Sequence, residues 1–568
     1  MSDFQQKAIM LLQSKKFKKL EQFLDLNSAG NLQLADEIRL LSLVTQGKPN
    51  EVIERPLDNY LAKYKDHAPK ANWVQAARLK FELKKYDEAM EYAAKVLATE
   101  DDPAAAEIAA LCCFNKQEFA KGYDIVSGLL KIDSSKPIYR EWQVLFAYKT
   151  GKHREALDAW DTFESLGGEL TQKNTVIGYV ARCFMKFGDM VQTRAILEEY
   201  GFFDKTTNID IGMLVSDFHK LNGDLEKSLE ILQTLHTEYP EVAEVKWNLA
   251  LANLNNGDLK TGWSLYECRW DWVDFPSPKR TFDTPSWSGE DLNGKKILVW
   301  GEQGIGDQIR FLTLLPELYE RFPTAEVTIE IDAKCIPLIK AWYPEIVDAW
   351  SFGLNDVRGV PEYQRFDYQL PSGSLPKFFF NDPERLLQNR YRTLKVTGTQ
   401  VAQMYGDFAV KYPLRIGVSW RSMMLTSERR DDYLNAEAFR HLIEHTSPNV
   451  GFVVLQYAIT EEEKKLFEEF ENVYIPEVDF LERVDLNALY AGSCELLLSC
   501  GTVVATLAGI FGVPVVSWSK TDDPVNLGQE QNPWFPNRFD FRIQPGWDKV
   551  TLVDRLSRTL EKYLKSKD

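Results

Sequence analysis

The sequence predicts a helical repeat solenoid followed by an α/β region of two Rossmann-like lobes. Three observations carry this. Turn residues recur every 32 to 37 positions through the first half, a proline- and tryptophan-rich break follows, and strand-like runs alternate with helical ones beyond it. With 568 residues, 44% hydrophobic and 12% aromatic, the chain is long enough for several domain-sized cores.

The repeats come first. Helix-to-helix turns fall at Lys15, Gly47, Lys84, Gln117, Gly151, Gly188, Gly223 and Gly257, at intervals of 32, 37, 33, 34, 37, 35 and 34 residues. That period matches tetratricopeptide repeats. Two positions after most turns stands an apolar or ring-bearing residue (Phe17, Tyr86, Phe119, His153, Met190, Leu225, Leu259). Five after the last six stands a small one (Ala89, Gly122, Ala156, Thr193, Ser228, Gly262), which lets paired helices approach closely. The clearest unit runs from Ala243 to Trp270, with Trp247, Leu249, Ala250, Leu251 and Leu254 on one apolar face before Gly257-Asp258 turns the chain. An isolated helical pair cannot bury such a face, so neighbours stack into a superhelix whose concave surface suits another polypeptide. The repeats are placed at residues 1–270.

Residues 271–294 contain Trp272, Phe275, Pro276, Pro278, Pro285 and Trp287, too much proline for a continued helix and too much aromatic surface for a floppy linker. A packed connection is expected. Strand-like runs then appear at Lys296 to Trp300, Val327 to Ile331, Phe366 to Leu370, Arg415 to Trp420, Gly451 to Tyr457, Glu495 to Ser499 and Val513 to Trp518. Strands alternating with helices imply parallel sheets covered on both faces. Polar helical sequence from Asp382 to Pro413 interrupts the rhythm, dividing the region into lobes at 295–400 and 401–568. Ligands of such sheets sit beyond the carboxyl ends of the strands, which singles out the loops Gly301 to Asp307, Arg421 to Arg430, Gly501 to Thr502 and Ser519 to Asp523.

Bulk properties narrow the partners. A net charge of -17 argues against duplex nucleic acid or an anionic membrane as the main partner. Seven cysteines without a CxxC pair imply neither a disulfide framework nor a structural zinc site. The N-terminus lacks a signal-peptide pattern and no apolar run approaches a membrane span, so a cytoplasmic protein with no membrane span is expected.

The first lobe opens on Ile297-Leu298-Val299-Trp300-Gly301-Glu302-Gln303-Gly304-Ile305-Gly306-Asp307, a buried strand, a glycine turn and the start of a helix. It is neither GxGxxG nor a P-loop. Asp307 lands near a helix N-terminus, where its charge is stabilised; capping that helix is the competing role. Arg421, Arg429 and Arg430 follow the first strand of the second lobe, and Lys520 follows Val513 to Trp518; arginine suits phosphate through its bidentate fork. Arg429 and Arg430 run straight into Asp431 and Asp432 and read equally as a solvated charge run, whereas Arg421 follows its strand directly. Ser499-Cys500-Gly501-Thr502 before the helix Val503 to Phe511 offers N–H groups at a helix start, a ready anion site to which Thr502 can add its hydroxyl. His441 and His445 have the i, i+4 spacing of a metal pair without the glutamate of HExxH between them, and read as helix surface. Cys500 reads as a small buried residue, and Trp534, Phe535 and Trp547 as packing.

Taken together, Trp247-Asn248-Leu249-Ala250-Leu251, Gly257-Asp258, Gly262-Trp263, Tyr266-Glu267, Arg269-Trp270 and the run Trp300 to Asp307 resemble bacterial tetratricopeptide-repeat glycosyltransferases. Ile416-Gly417-Val418-Ser419-Trp420, Leu507-Ala508-Gly509 to Pro514, and Pro533-Trp534-Phe535-Pro536 with Arg542 extend the match. The resemblance implies a two-lobed GT-B unit related to the heptosyltransferases and, more distantly, to the O-GlcNAc transferases. It implies sugar transfer from a nucleotide sugar to a protein acceptor; some members of this kind glycosylate flagellin. On this basis 295–400 is the acceptor lobe and 401–568 the nucleotide-sugar lobe.

Transfer to a hydroxyl requires a base for its proton and groups that stabilise the departing phosphate. The resemblance assigns Asp307 as the base, with Glu302, Gln303, Gly304 and Gly306 forming the acceptor-side loop. Arg421, Ser422, Lys520, Gly501, Thr502 and Thr506 are the candidate donor contacts. The expected chemistry is inverting and uses no metal or other cofactor. Where the pattern usually reads Asp-Thr and then His four residues on, this chain has Gly501-Thr502 and Thr506. Those departures keep two alternatives open: a degenerate GT-B protein acting as a scaffold through its repeats, and a transferase acting on lipopolysaccharide core or another glycan.

Overall fold

The computed structural model describes residues 2–65, 67–351, 366–380, 392–423, 433–519, 526–529, 531–543 and 547–566. The chain forms two compact units, Met1–Cys183 and Phe184–Asp568.

The first unit is built from antiparallel helix pairs, among them Lys70–Glu82 with Tyr86–Leu97, Pro103–Asn115 with Phe119–Ile132, and Pro137–Lys149 with His153–Ser165. At each pair the turn residue expected from the period takes a left-handed backbone: Lys15, Gly47, Lys84, Gln117 and Gly151 have φ of 55, 64, 60, 60 and 77°. The next N–H then reaches back over the turn, as from Lys85 to the Lys80 carbonyl at 2.9 Å and from Lys152 to Ala147 at 2.8 Å, closing the helix end. Ala89 and Ala156 are fully buried between helices, and a Cβ on Gly122 would collide with the Phe146 ring. The carboxylates of Glu54, Asp58 and Glu88 surround the buried Lys80 ammonium at 2.7, 2.7 and 2.6 Å.

The second unit begins with the remaining repeats. Gly188, Gly223 and Gly257 repeat the left-handed turn at 76, 83 and 83°. Asp189, Asp224 and Asp258 follow them and cap the next helices, accepting from Gln192, Lys227 and Thr261 N–H at 2.9, 3.1 and 3.0 Å. The last pair is Ala243–Asn255 with Leu259–Tyr266.

Two parallel sheets follow. Strands β1 Lys296–Trp300, β2 Glu326–Glu330, β3 Asp348–Trp350 and β4 Tyr368–Pro371 lie in the order β3-β2-β1-β4. Strands β5 Arg415–Ser419, β6 Gly451–Val454, β7 Val473–Tyr474, β8 Leu496–Cys500, β9 Val515–Ser519 and β10 Arg538–Arg542 lie in the order β10-β9-β8-β5-β6-β7. Every pairing is parallel, with Ile297 opposite Tyr368 and Ile416 opposite Leu496. The central strands are continuous apolar runs because helices cover both faces. In each sheet the order reverses beside the first strand, between β1 and β4 and between β5 and β8. Crevices for ligands open at the carboxyl ends of such pairs. The architecture is therefore a tetratricopeptide-type solenoid followed by a GT-B fold of two Rossmann-like lobes.

The connection at 271–294 is packed, as its aromatic content implies: Trp287 is buried and Trp272 stacks on Trp247 with centroids 5.1 Å apart. One apolar core joins Leu254, Trp263 and Tyr266 of the last repeat to Trp287, to Ile297 and Val299 of β1, and to Trp534 and Phe535 from the second lobe. The division in packing thus falls at Cys183, inside the array, while the change in composition falls at 271–294. Among the described residues no helix is long and apolar enough to cross a membrane.

Candidate active site between the lobes

A cavity of about 670 Å³ opens where the two crevices face each other. One wall comes from the loop after β1 and the helix Ile305–Leu312, the other from the end of β8, the helix Val503–Ile510 and β10. Trp247, Leu251 and Trp263 of the last repeat close one side. The walls approach where the side chains are smallest: a Cβ on Gly306 would stand 3.6 Å from Val503 Cα and 3.7 Å from Thr506 Oγ1.

Asp307 lines this cavity with about a third of its side chain exposed. Its Oδ2 accepts the Gly304 N–H at 3.2 Å, so the carboxylate caps its helix, and Oδ1 pairs with the Arg310 guanidinium one turn on. Capping and cleft exposure are therefore held by one side chain. Arg310 itself lines the cavity, flanked by the Phe311 and Trp534 rings. Gln303, Gly304 and Gly306 also line it.

Glu302 does not. It points away from the cleft, with no exposed surface, and takes a bidentate pair from Arg269 at 2.9 and 3.0 Å. Arg269 also donates to Glu267 at 2.8 Å and to Ser374 Oγ at 2.8 Å. A Cβ on Gly373 would collide with Glu302 Oε1, so only glycine leaves room for this pair. Burial pushes the Glu302 carboxyl above its ordinary value, against the pull of Arg269, while Glu302 and Glu267 hold Arg269 charged despite its own burial. Glu302 thus belongs to the acceptor-side loop in sequence, while its side chain joins the last repeat to the first lobe.

On the opposite wall, Gly501, Thr502, Val503 and Thr506 line the cavity. The Thr502 side chain makes no capping bond to its own helix and lies 3.4 Å from Ser499 Oγ, leaving the helix start facing the cavity without a side-chain cap. Ser422 lines the cavity as well, after β5. Arg421 is not among the lining residues. Its Nη2 and Nε bind Glu463 at 2.7 and 3.1 Å and Nη2 also donates to the Ala458 carbonyl at 2.8 Å, which commits the guanidinium to its own lobe. Burial raises the Glu463 carboxyl, but bonds from Arg421, Thr460 N–H and Trp420 leave it below its ordinary value. Buried Gln456 fastens the same loop, accepting from Trp420 and Arg421 N–H at 2.9 and 3.0 Å. Arg421, expected as a phosphate contact, is thus bonded to Glu463 and Ala458 and does not line the cavity. Lys520, Arg429 and Arg430 lie outside the described residues.

The cation that does line this wall is Arg538, which the sequence reading passed over. It starts β10, is 6% exposed, donates to Ser517 Oγ at 3.4 Å and brings Nη2 to 3.9 Å from the point a Cβ on Gly501 would occupy. The alternation Arg-Phe-Asp-Phe-Arg over 538–542 is the only signal that marked the strand. Trp534 packs on Phe380 with centroids 4.2 Å apart and Trp547 under Arg555 at 4.1 Å. His441, Glu444 and His445 bring ligand atoms within 4.8 Å at an exposed helix end away from the cavity, where Glu444 is bound by Arg440 at 2.9 Å.

No family model matches the chain. It is 27% identical over 310 residues to Protein FlbA of Caulobacter vibrioides, a match covering 52% of this chain and 51% of that protein. The chain thus spans about half the length of this curated relative. Among solved structures, a glycosyl transferase family 9 protein from Veillonella parvula is 12% identical, with a TM-score of 0.36, over 48% of this chain and 99% of that one. A tetratricopeptide repeat protein from Parabacteroides merdae is 13% identical, with a TM-score of 0.28, over 44% and 97%.

Proposed function

We propose that this protein is an inverting, metal-independent glycosyltransferase that moves a sugar from a nucleotide-sugar donor to a hydroxyl of a protein acceptor. The observation that carries the reading is the opposition, across one cavity, of the Asp307 carboxylate and a helix start flanked by Arg538. The acceptor hydroxyl gives its proton to Asp307 as its oxygen bonds to the anomeric carbon. The bond from that carbon to the donor phosphate breaks on the far face, and its electron pair leaves on the phosphate oxygen. N–H groups at the start of Val503–Ile510, the Thr502 hydroxyl and the Arg538 guanidinium stabilise that charge. Gly501 and Thr506 supply neither a carboxylate nor an imidazole, so donor binding in this reading rests on backbone, hydroxyls and Arg538.

A polypeptide acceptor is supported by the repeats. In the first unit a groove of about 580 Å³ is lined from four helices and bordered by Asn50, Lys70, Gln75, Arg78 and Glu82. Polar side chains capable of binding main-chain amides, set beside apolar ones, suit an extended chain. Some proteins of the kind this sequence resembles glycosylate flagellin, which makes flagellin one acceptor to test.

The test begins with thermal-shift measurements against nucleoside diphosphates and CMP at millimolar concentration, because a ligand that binds only the folded state raises its apparent stability. The nucleotide that stabilises names the donor class, and Asp307→Asn is expected to keep that shift while abolishing transfer. A flat screen, together with undiminished partner binding by Asp307→Asn, would replace this reading with the scaffold.

A further inference from the structure

The last repeat is bonded into the loop that bears Asp307, more closely than a tether requires. Gln303 is left-handed, φ 61°, a conformation unfavourable for a residue with a Cβ. Four bonds hold it there. Its side-chain Nε2 donates to the Tyr266 hydroxyl at 2.8 Å and to Glu302 Oε1 at 3.3 Å, its N–H donates to Ser277 Oγ at 2.6 Å, and its carbonyl accepts from Gln308 Nε2 at 3.1 Å. Tyr266 ends the final repeat helix, with its ring pinned between Trp247 and Trp263 at 5.0 and 5.2 Å. Three residues on, Arg269 grips Glu302, the residue before Gln303. The residue after it, Gly304, supplies the N–H that orients Asp307.

A glycine at position 303 would adopt this turn without strain, yet it would have no side chain to reach Tyr266. We infer that Tyr266 and Gln303 are positioning residues: the final repeat, through this hydrogen bond, sets the backbone turn that aims the Asp307 carboxylate into the cavity. This rests on the proposed role of Asp307. The repeats then act on the reaction as well as on acceptor binding, because the turn carrying the base is defined by a hydroxyl that belongs to the array.

Hydrogen exchange of the full chain tests this without knowledge of the donor. Tyr266→Phe keeps the ring and removes the hydroxyl. It is expected to speed exchange of the Gln303 and Gly304 amides at least tenfold, with β1 and the melting temperature unchanged. Unaltered exchange at these two amides overturns the inference, whatever the enzyme turns out to transfer. Once a donor is identified, Tyr266→Phe and Gln303→Gly should each lower kcat about tenfold with little change in donor KM. Their double variant should lose no more than either alone, and in Gln303→Gly the relief of strain offsets part of the loss of the side-chain bonds to Tyr266 and Glu302. Additive losses would show that Gln303 acts by a route other than Tyr266 and would overturn the inference. If wild type transfers no sugar at all, the proposed function fails while the exchange result still stands or falls by itself.

Discussion

Arg269→Met should be among the most damaging single substitutions in the second unit. The guanidinium is fully buried and satisfies Glu302, Glu267 and Ser374 together. Methionine fills much of the volume but leaves the Glu302 carboxylate without a counter-charge and without exposed surface. Stranding one member of a buried pair costs about 3–5 kcal/mol. The double variant Arg269→Met/Glu302→Gln carries no fully buried unpaired charge, since Glu267 is a third exposed and keeps its bond from Ser374, and it leaves mainly unmatched amide and hydroxyl groups, at about 1–3 kcal/mol. The second change should therefore restore stability to the first. Urea titration followed by tryptophan fluorescence suits the measurement, because the Arg269 guanidinium lies 4.6 Å from the Trp270 ring centroid and Trp263, Trp287 and Trp300 sit in the apolar clusters of the same unit; the transition of the second unit is read separately from that of the first.

The pH dependence provides an independent check on this cycle. Burial already raises the Glu302 carboxyl in the presence of Arg269, and losing Arg269 raises it further. A group whose folded value exceeds its unfolded one contributes stability that is complete below the unfolded value, 4.5, and is lost as pH rises through the folded value. The deficit of Arg269→Met should therefore be smaller at pH 5 than at pH 8, changing by at most about 1.4 kcal/mol per pH unit in between. An identical deficit at both pH values, or a double variant as unstable as Arg269→Met, would refute the account of a stranded carboxylate.

Two further substitutions probe other parts of the chain. Arg538→Gln removes the guanidinium from the cavity wall; nucleotide affinity by titration calorimetry should fall about tenfold, and an unchanged affinity would remove Arg538 from the donor site. In the first unit, Gly122→Ala drives a Cβ into the buried Phe146 ring and should cost about 1–3 kcal/mol in that unit's unfolding transition, part of which Phe146→Leu restores by making room.

The repeat array was legible because its period is independent of any one residue type. Five of the eight turns are glycines, but Lys15, Lys84 and Gln117 adopt the same left-handed turn at 55 to 60°, and spacing alone located them. The central strands were legible as apolar runs, whereas β3 and β7 are three and two residues long and β10 alternates charged with aromatic residues. Side-chain direction at strand ends was not legible. Glu302 sits in a glycine loop that borders the cavity, yet its partner lies 33 residues earlier and draws it to the other side. Arg421 follows its strand as a phosphate ligand would, and Glu463, 42 residues later, takes it. Arg310 and Arg538 become visible only when the strand order brings two loops from different lobes to one cavity.

The same geometry changes what the composition break at 271–294 means. A tether between a peptide-binding array and an enzyme would leave each with its own apolar core, and the repeats would raise only the local concentration of acceptor. Here Trp263 and Tyr266 share a core with β1, and Trp247, Leu251 and Trp263 line the cavity that Asp307 faces. A hydroxyl brought to that carboxylate therefore enters a space whose wall belongs partly to the last repeat. Under the proposed function, acceptor selection and proton removal are coupled at this joint, since a residue that changes the shape of the final helix pair would also shift the turn at Gln303. The apolar core of the first lobe thus extends upstream of the proline-rich stretch, among helices whose sequence pattern is that of a repeat.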